Sequence, residues 1–580
     1  MRIRPTVWST SPILLMVLCI VSCDSAGSLA TDARNDSDAA VSHCNGTSAL
    51  SPPELLTPHN GDRTGRSTLE ESVRPTFVWR MPCPGLRYTL EVDDSCGENF
   101  HECEFPSPEV RAVDLESAVF RPVVSLPVSG SIGRRYYWRV RACLNAACSA
   151  WSATRYLNVG RQTQDVNGDG FSDIVVGALD SAGQWGRFHV FAGGESPDAV
   201  ADLVGDGDSA GGRLGSTVSV AADMNGDGYS EILVGGTGQL RVYLGGPDYA
   251  IRPPLHFSPP AAGSTFGTVF GVGDMDGDGY DDVVVGAYSL GRAYLYRGGA
   301  TLDLDADMTI TGEDGGVFGG AVGGVGDVNG DGFADFVVAA PWHDGGGTDS
   351  GRVFLYLGGS QLDSVADWSF SGDPGRFLGS VSNTPGDADG DGYMDLLIGQ
   401  YGKVHLFRGG RVIGAAPSFS LIARPFDDVF GFGLAFAGDV LGIGSAQILV
   451  GDFGHGTRSI DAGRCYLFAA GVHLDEREDL VFDGDKTDDW FGHAVGGAGD
   501  VNGDGHDDFV VGAPRTFGNE SDFGRAYLFL GGPNLFMRPD LVFVGDDLGG
   551  RFGGTVAAPG ERLSRQNLDG VGSRGQKRTP

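Results

Sequence analysis

Basic charge, long apolar runs and catalytic signatures are all scarce in this chain, and each shortage excludes something. Lysine and arginine together number 41 against 76 aspartates and glutamates, for a formal charge of −35. Such a chain repels phosphate backbones and anionic lipid headgroups and attracts cations, so nucleic acid is not expected as a partner. Beyond the first residues no run approaches the roughly 18 consecutive apolar residues of a membrane helix, so the body is expected to be soluble. There is no HExxH, no CxxC and no phosphate-cradling glycine loop before a helix, and the 11 histidines are scattered. No enzyme is expected. What is abundant is glycine, 96 residues with 28 prolines, which cuts 580 residues into many short elements joined by turns. A modular all-β protein follows.

Residues 1–23 look like an export signal: Arg2 and Arg4, an apolar run from Ile13 to Val21, then Ser22 before Cys23. Ile20, Val21, Ser22 and Cys23 resemble a bacterial lipobox, in which Cys23 becomes the lipidated first residue. Ordinary signal cleavage that discards Cys23 is the alternative. Either way the protein is expected outside the cell, secreted or anchored to its outer face. Five cysteines crowd between positions 83 and 148, where export permits disulfides. Cys96 with Cys103 and Cys143 with Cys148 are the expected local bridges, although spacing alone does not fix connectivity. A zinc site is the rival, without a CxxC pair or histidine partner to support it.

Composition divides the rest. Residues 24–74 are rich in Ser, Asp, Pro and Gly with little apolar periodicity and read as a disordered linker. Residues 75–160 hold alternating runs at Phe77, Val78 and Trp79; at Tyr88, Leu90 and Val92; at Tyr137, Trp138 and Val140; and at Tyr156 and Leu157. These runs suggest a small β-sandwich, which resembles a fibronectin type III domain over about 85 residues. Residues 161–560 form an internal repeat, and 561–580 read as a disordered tail.

The repeat carries the chemistry. Acidic blocks begin at Asp165, Asp223, Asp274, Asp327, Asp387, Asp439 and Asp500. Each copy runs from Phe-Gly or Leu-Gly through a small apolar run, the acidic loop and an apolar run to Gly-Arg and usually Gly-Gly. That unit supplies the strands of one propeller blade, and seven copies predict seven blades. No Phe-Gly strand precedes the first loop, whereas a spare one, from Phe552 to Val556, follows the seventh. Ring closure through that strand is expected, because it removes sheet edges.

Counted from its first Asp, a loop places oxygen donors at positions 1, 3, 5 and 9, glycines at 4 and 6, and a backbone carbonyl at 7. Calcium takes six to eight oxygens, so this is a hard-cation pattern. The expected ligands are Asp165, Asn167, Asp169, Phe171 and Asp173; Asp223, Asn225, Asp227, Tyr229 and Glu231; Asp274, Asp276, Asp278, Tyr280 and Asp282; Asp327, Asn329, Asp331, Phe333 and Asp335; Asp387, Asp389, Asp391, Tyr393 and Asp395; and Asp500, Asn502, Asp504, His506 and Asp508. An EF-hand would need Glu at position 12 between helices; here position 12 is Val176, Val234, Val285, Val338, Ile398 or Val511. The loop is therefore a hairpin bend, with affinity expected on the order of 10⁻⁴ to 10⁻³ M. The sixth block, from Asp439 to Gln447, keeps one Asp, so it is expected to bind no ion and to hold by packing alone.

The Phe-Gly starts, the DxDGDGxxD loops and the Val-Gly-Ala-Pro run from Val511 to Pro514 resemble FG-GAP repeats of integrin α-chain propellers, over about 400 residues. The resemblance implies an extracellular seven-bladed propeller, about six calcium ions serving stability, and a role in adhesion or binding of a protein or polysaccharide ligand. An inserted domain, a spanning helix and a cytoplasmic tail are missing, so integrin-like signalling is not implied. Connections on the face opposite the acidic loops lengthen at 177–186, 341–351, 451–463 and 512–524. They carry Trp185, Trp342, His343, Phe453, His455, Arg515 and Phe517, and make a candidate ligand patch. Loops drifting freely in length are the plainer reading. A noncatalytic accessory of a secreted hydrolase and a structural envelope protein are the alternative functions.

Overall fold

The computed structural model describes residues 50–557, apart from short interior stretches of which the longest are 64–72, 258–267 and 515–522. Cys23, Arg515, Phe517 and the terminal segments 1–23 and 561–580 lie outside the described residues. Apart from a four-residue helix at Ser181–Gln184 and a 3-10 turn at Tyr288–Leu290, the described elements are strands.

From residue 174 onward they form seven four-stranded antiparallel sheets. Six are sequential, each an inner strand, an acidic hairpin, and second, third and fourth strands, as in Ala321–Gly326, Asp335–Ala340, Arg352–Tyr356 and Trp368–Ser371. In the remaining sheet Phe552–Ala557 supplies the inner strand beside Ile174–Ala178, with Val176 opposite Val556. That strand also touches the inner strands Thr217–Val220 and Ala494–Gly499, and every inner strand meets the next, so the β-propeller closes. The second strands are buried along their whole length, as at Ile174–Ala178 and Asp508–Ala513, because neighbouring blades cover both faces. Fourth strands are less buried, and at Leu203–Asp206 half-buried and exposed residues alternate, since only one face packs inward.

The core lies between blades. Phe270, Phe318, Phe336, Phe354 and Tyr356 fill one joint; Ile174, Val176 and Phe191 meet Val510, Leu528, Phe543 and Phe552 at the closing joint. The Phe-Gly and Gly-Arg motifs form a seam across these joints. Leu214, Leu378, Phe491 and Phe552 bridge to Gly186, Gly351, Gly463 and Gly524 of the preceding blade. After Leu214, Phe491 and Phe552 the glycine that follows sits at positive φ: at Gly492, φ is 84° and a Cβ would stand 2.2 Å from the Arg464 carbonyl oxygen.

Ahead of the propeller, two sheets enclose Phe77, Trp79, Tyr88, Leu90, Tyr136, Trp138 and Val140. One is ordered Glu54–Thr57, Phe77–Arg80, Val119–Phe120; the other Asp62–Arg63, Arg155–Val159, Arg134–Leu144, Arg87–Asp93, Val110–Leu115. Cys96 is bonded to Cys103 and Cys143 to Cys148. The linker expectation for 24–74 needs correcting at its end. Glu54–Thr57 pairs with Phe77–Arg80 and buries Leu55, and Asp62–Arg63 pairs with Arg155–Val159. Strands of four and two residues leave no apolar period to read, and their partners lie far along the chain.

Candidate cation sites in the blade hairpins

From the second blade on, each acidic hairpin joins an inner strand to a second strand, whereas the first runs from the sandwich strand Arg155–Val159 into Ile174–Ala178, and the acidic loops are folded by their own carboxylates. In blade one the Asp165 carboxylate accepts N–H groups from Gly168 at 2.6 Å, Asp169 at 3.1 Å and Gly170 at 2.8 Å. Asn167 accepts from the Asp169 N–H, Asp169 from the Phe171 N–H, and Asp173 from the Val166 N–H. The glycines at positions 4 and 6 adopt positive φ, 76° and 90° in blade one, which lets the chain wrap around the first Asp. The pattern recurs around Asp274, Asp327, Asp387 and Asp500. Position-7 residues Tyr229, Tyr280, Phe333, Tyr393 and His506 likewise donate N–H to the position-5 carboxylates of Asp227, Asp278, Asp331, Asp391 and Asp504.

Carboxylate oxygens of Asp274, Asp276 and Asp282 lie within 4.8 Å of one another, as do those of Asp387, Asp389 and Asp395, and those of Asp223, Asp227 and Glu231. Glu231 is fully buried and reaches the Met224 N–H at 2.7 Å, the amide that Asp takes in other blades. Asn167, Asn329 and Asn502 stand at position 3 and donate amide N–H to Asp169, Asp331 and Asp504.

The electrostatics of this packing are unfavourable without a cation. Burial first, then neighbouring carboxylates, pushes Asp165 up to about 6, Asp274 and Asp395 to about 7 and Asp508 to about 8; backbone N–H donors oppose the rise. Asp173, Glu231, Asp282 and Asp335 are pushed well above the usual range by the same causes. A single arginine stands at the rim of some hairpins, Arg297 at 3.0 Å from Asp276 and Arg408 at 2.9 Å from Asp389. Several oxygens converging on one point, too few positive charges and tight glycine turns fit a hard divalent cation.

Blade six differs from expectation. Asp439 still accepts from Ile443 and Gly444, and the Gln447 side-chain carbonyl accepts the Leu441 N–H at 2.8 Å while its amide donates to the Ser445 carbonyl. A neutral amide replaces the position-9 carboxylate, so the hairpin holds by hydrogen bonds and not by packing alone.

The hairpins are also stitched to one another. The position-8 N–H of each of six hairpins donates to the position-1 carbonyl of the preceding blade: Ser172 to Asp500, Ser230 to Asp165, Asp281 to Asp223, Ala334 to Asp274, Met394 to Asp327 and Ala446 to Asp387. The Gly-Gly pairs add to the seam. Gly193 donates to the Asp173 carboxylate of its own blade and Gly194 to the Val501 carbonyl of the preceding one.

On the other face the expected aromatic tips divide. Trp185 is exposed, at 43%. Trp342 and His343 are half-buried, against Phe377 and Phe354. Phe453 is not a tip: it is buried among Phe432, Trp490 and His493, because the blade-six connection folds back over the joint with blade seven. His455 stands 3.5 Å from the buried Asp452. Against the expectation that catalytic signatures are lacking, residues 207–211, Gly-Asp-Ser-Ala-Gly, carry GxSxG spacing. They follow the strand Leu203–Asp206 and precede the strand Thr217–Val220, Ser209 is exposed and Asp208 pairs with Arg241. A nucleophile elbow needs a strand-to-helix turn, and this is not one.

Comparison with known proteins agrees with the repeat architecture. A family model described as FG-GAP-like repeat matches residues 223–285, and the FG-GAP repeat model matches 318–356 and 491–529. Integrin alpha-5 of Xenopus laevis is 31% identical over 206 residues, 32% of this chain and 19% of that protein. Integrin alpha-IIb of Mus musculus is 35% identical over 153 residues, 23% of this chain and 15% of that protein. Integrin alpha-PS2 of Drosophila melanogaster is 33% identical over 206 residues, 33% of this chain and 14% of that protein. The chain therefore spans less than a fifth of each of these relatives. Its repeats are FG-GAP repeats, and the chain is an integrin-like FG-GAP repeat protein.

Proposed function

We propose that this is an exported, calcium-binding propeller that acts noncatalytically in cell-surface adhesion or ligand binding. The observation that carries the reading is the convergence of buried carboxylates in hairpins of integrin-like repeats. Calcium would be held by positions 1, 3, 5, 7 and 9 of the hairpins in blades one to five and seven. When bound, it supplies the positive charge that the buried carboxylates lack. The protein's own part is done by the Asp side chains, which hold the turn, and by the ring of inter-hairpin hydrogen bonds, which spreads the order from blade to blade.

In this reading residues 1–23 direct export, with Cys23 lipidated or removed, and the sandwich and its leading segment form a stalk of fibronectin type III type. The connections opposite the hairpins present Trp185 and its neighbours to a protein or polysaccharide. Calorimetric titration of the mature protein with calcium, followed by binding to source cells and their extracted polysaccharide, tests it. Saturable binding that falls in Trp185→Ala supports adhesion. Absence of binding by a calcium-loaded protein that melts cooperatively rejects the adhesion role.

A further inference from the structure

The acidic hairpins are not open to solvent all round the ring: the sandwich rests on four of them in succession. Arg63 donates to the Ser230 hydroxyl in blade two at 2.7 Å and stands 4.0 Å from Asp281 of blade three. Tyr156 donates its phenolic hydrogen to the Asp274 carboxylate of blade three at 2.8 Å. Arg135 donates to the Gly279 carbonyl of the same hairpin at 2.6 Å and stacks over the Tyr156 ring. Arg155 donates to the Gly330 carbonyl of blade four at 2.8 Å and stands 3.4 Å from Asp327, with both side chains only 4% exposed. In blade five the Tyr393 hydroxyl donates to Glu54, beside Arg80.

We infer that the sandwich is a cap seated on the cation-loaded shape of these hairpins, so that cation binding and docking of the sandwich strengthen each other. The inference rests on the calcium reading above. Two features of the contact carry it. First, its acceptors are the parts of the hairpin that the loop fold positions: the Asp274 carboxylate at position 1, the Gly279 carbonyl at position 6 and the Gly330 carbonyl at position 4. A hairpin whose buried carboxylates repel one another spreads and carries these acceptors away; a neutralised one keeps them in register. Second, in blade four the charges match. Asp327, Asp331 and Asp335 bring three negative charges to the blade-four hairpin. A divalent ion leaves one, and the buried Arg155 guanidinium answers it. In blade three the neutral Tyr156 hydroxyl holds the Asp274 carboxylate without competing for the ion as a cation would. A coupling of this kind is reciprocal, so removing the sandwich contact weakens the ion as much as removing the ion weakens the contact.

Hydroxyl-radical footprinting of the full mature chain, with calcium titration calorimetry alongside, tests the coupling. Tyr156 is expected to be protected in calcium and to label several-fold faster after chelation. Tyr136, buried in the sandwich core with its hydroxyl on the Pro127 carbonyl, should stay unchanged and so exclude unfolding of the sandwich. Tyr156→Phe removes one hydroxyl and should weaken one class of calcium site by roughly tenfold, the scale of a hydrogen bond to a charged group. Arg155→Lys keeps the charge but loses the two-pronged contact, and should make Tyr156 label in calcium as the chelated wild type does. Equal Tyr156 labelling with and without calcium, in a protein that binds calcium, overturns the coupling and leaves the calcium reading standing. Tighter calcium binding in Arg155→Lys or Tyr156→Phe overturns it too, by showing competition. If no calcium binds at all, both the calcium reading and the coupling fall.

Discussion

Two adjacent glycines show how finely the hairpin seam is fitted. A Cβ on Gly193 would stand 2.4 Å from the Ser172 carbonyl oxygen, whereas one on Gly194 would meet nothing within 4 Å. Gly193→Ala is therefore expected to lower stability by about 1–3 kcal/mol through overpacking, and Gly194→Ala to change it little. Urea unfolding in calcium measures both; equal effects would show that the contact yields at no cost. A second prediction concerns His405, buried beside Phe370 with its Nδ1 on the Ser420 hydroxyl at 2.9 Å. Burial first, then the Lys403 charge, lowers it from 6.5 to about 4. The unfolded chain takes up this proton near 6.5 and the folded chain does not. Stability owed to the neutral ring is thus complete above pH 6.5 and is lost progressively as pH falls toward 4. Urea midpoints recorded from pH 7.5 to 4 in chelator should fall less steeply in His405→Gln than in the wild type.

At the scale of the hairpin, the sixth copy separates turn from ion site. Gln447→Ala strands the Leu441 N–H and should cost about 1–3 kcal/mol, by the same amount with calcium or chelator present. Asp508→Asn keeps the side-chain volume and an acceptor for the Val501 N–H but turns its NH2 toward the Gly531 N–H, so it should cost some stability in chelator and more in calcium, together with the loss of one bound ion by calorimetry. A calcium-dependent cost for Gln447→Ala would mean that the sixth hairpin binds an ion after all. Spacing made this element legible in advance: positions 1, 3, 5 and 9 around two glycines repeat too regularly to be read otherwise. What spacing could not show is contact with distant residues. The Gln447 amide bridge, the burial of Phe453 under Trp490 and the pairing of Glu54–Thr57 with Phe77–Arg80 all depend on partners that local pattern does not name. The alternating run places Tyr156 in a sandwich strand, and nothing near it in sequence points to Asp274.

For the whole molecule the decisive joint is the one between chain ends. Phe552–Ala557 pairs with Ile174–Ala178, and Phe552 packs against Phe191 and His189. The Thr555 hydroxyl donates to the Gly215 carbonyl at 2.9 Å, tying this strand to blade two as well. Without it the edge of Ile174–Ala178 and the apolar joint between blades seven and one are exposed together, which is a template for self-association. A chain ending at residue 551 is therefore expected to elute as soluble aggregate and to lack a cooperative melt. Size-exclusion chromatography and thermal unfolding measure this. A synthetic peptide of residues 546–560 added during refolding should restore a monomer, since strand addition to an open edge recovers both the hydrogen bonds and the buried face. Monomeric, cooperative folding of the truncated chain without the peptide would show that six complete blades hold the ring and that the closing strand only finishes it.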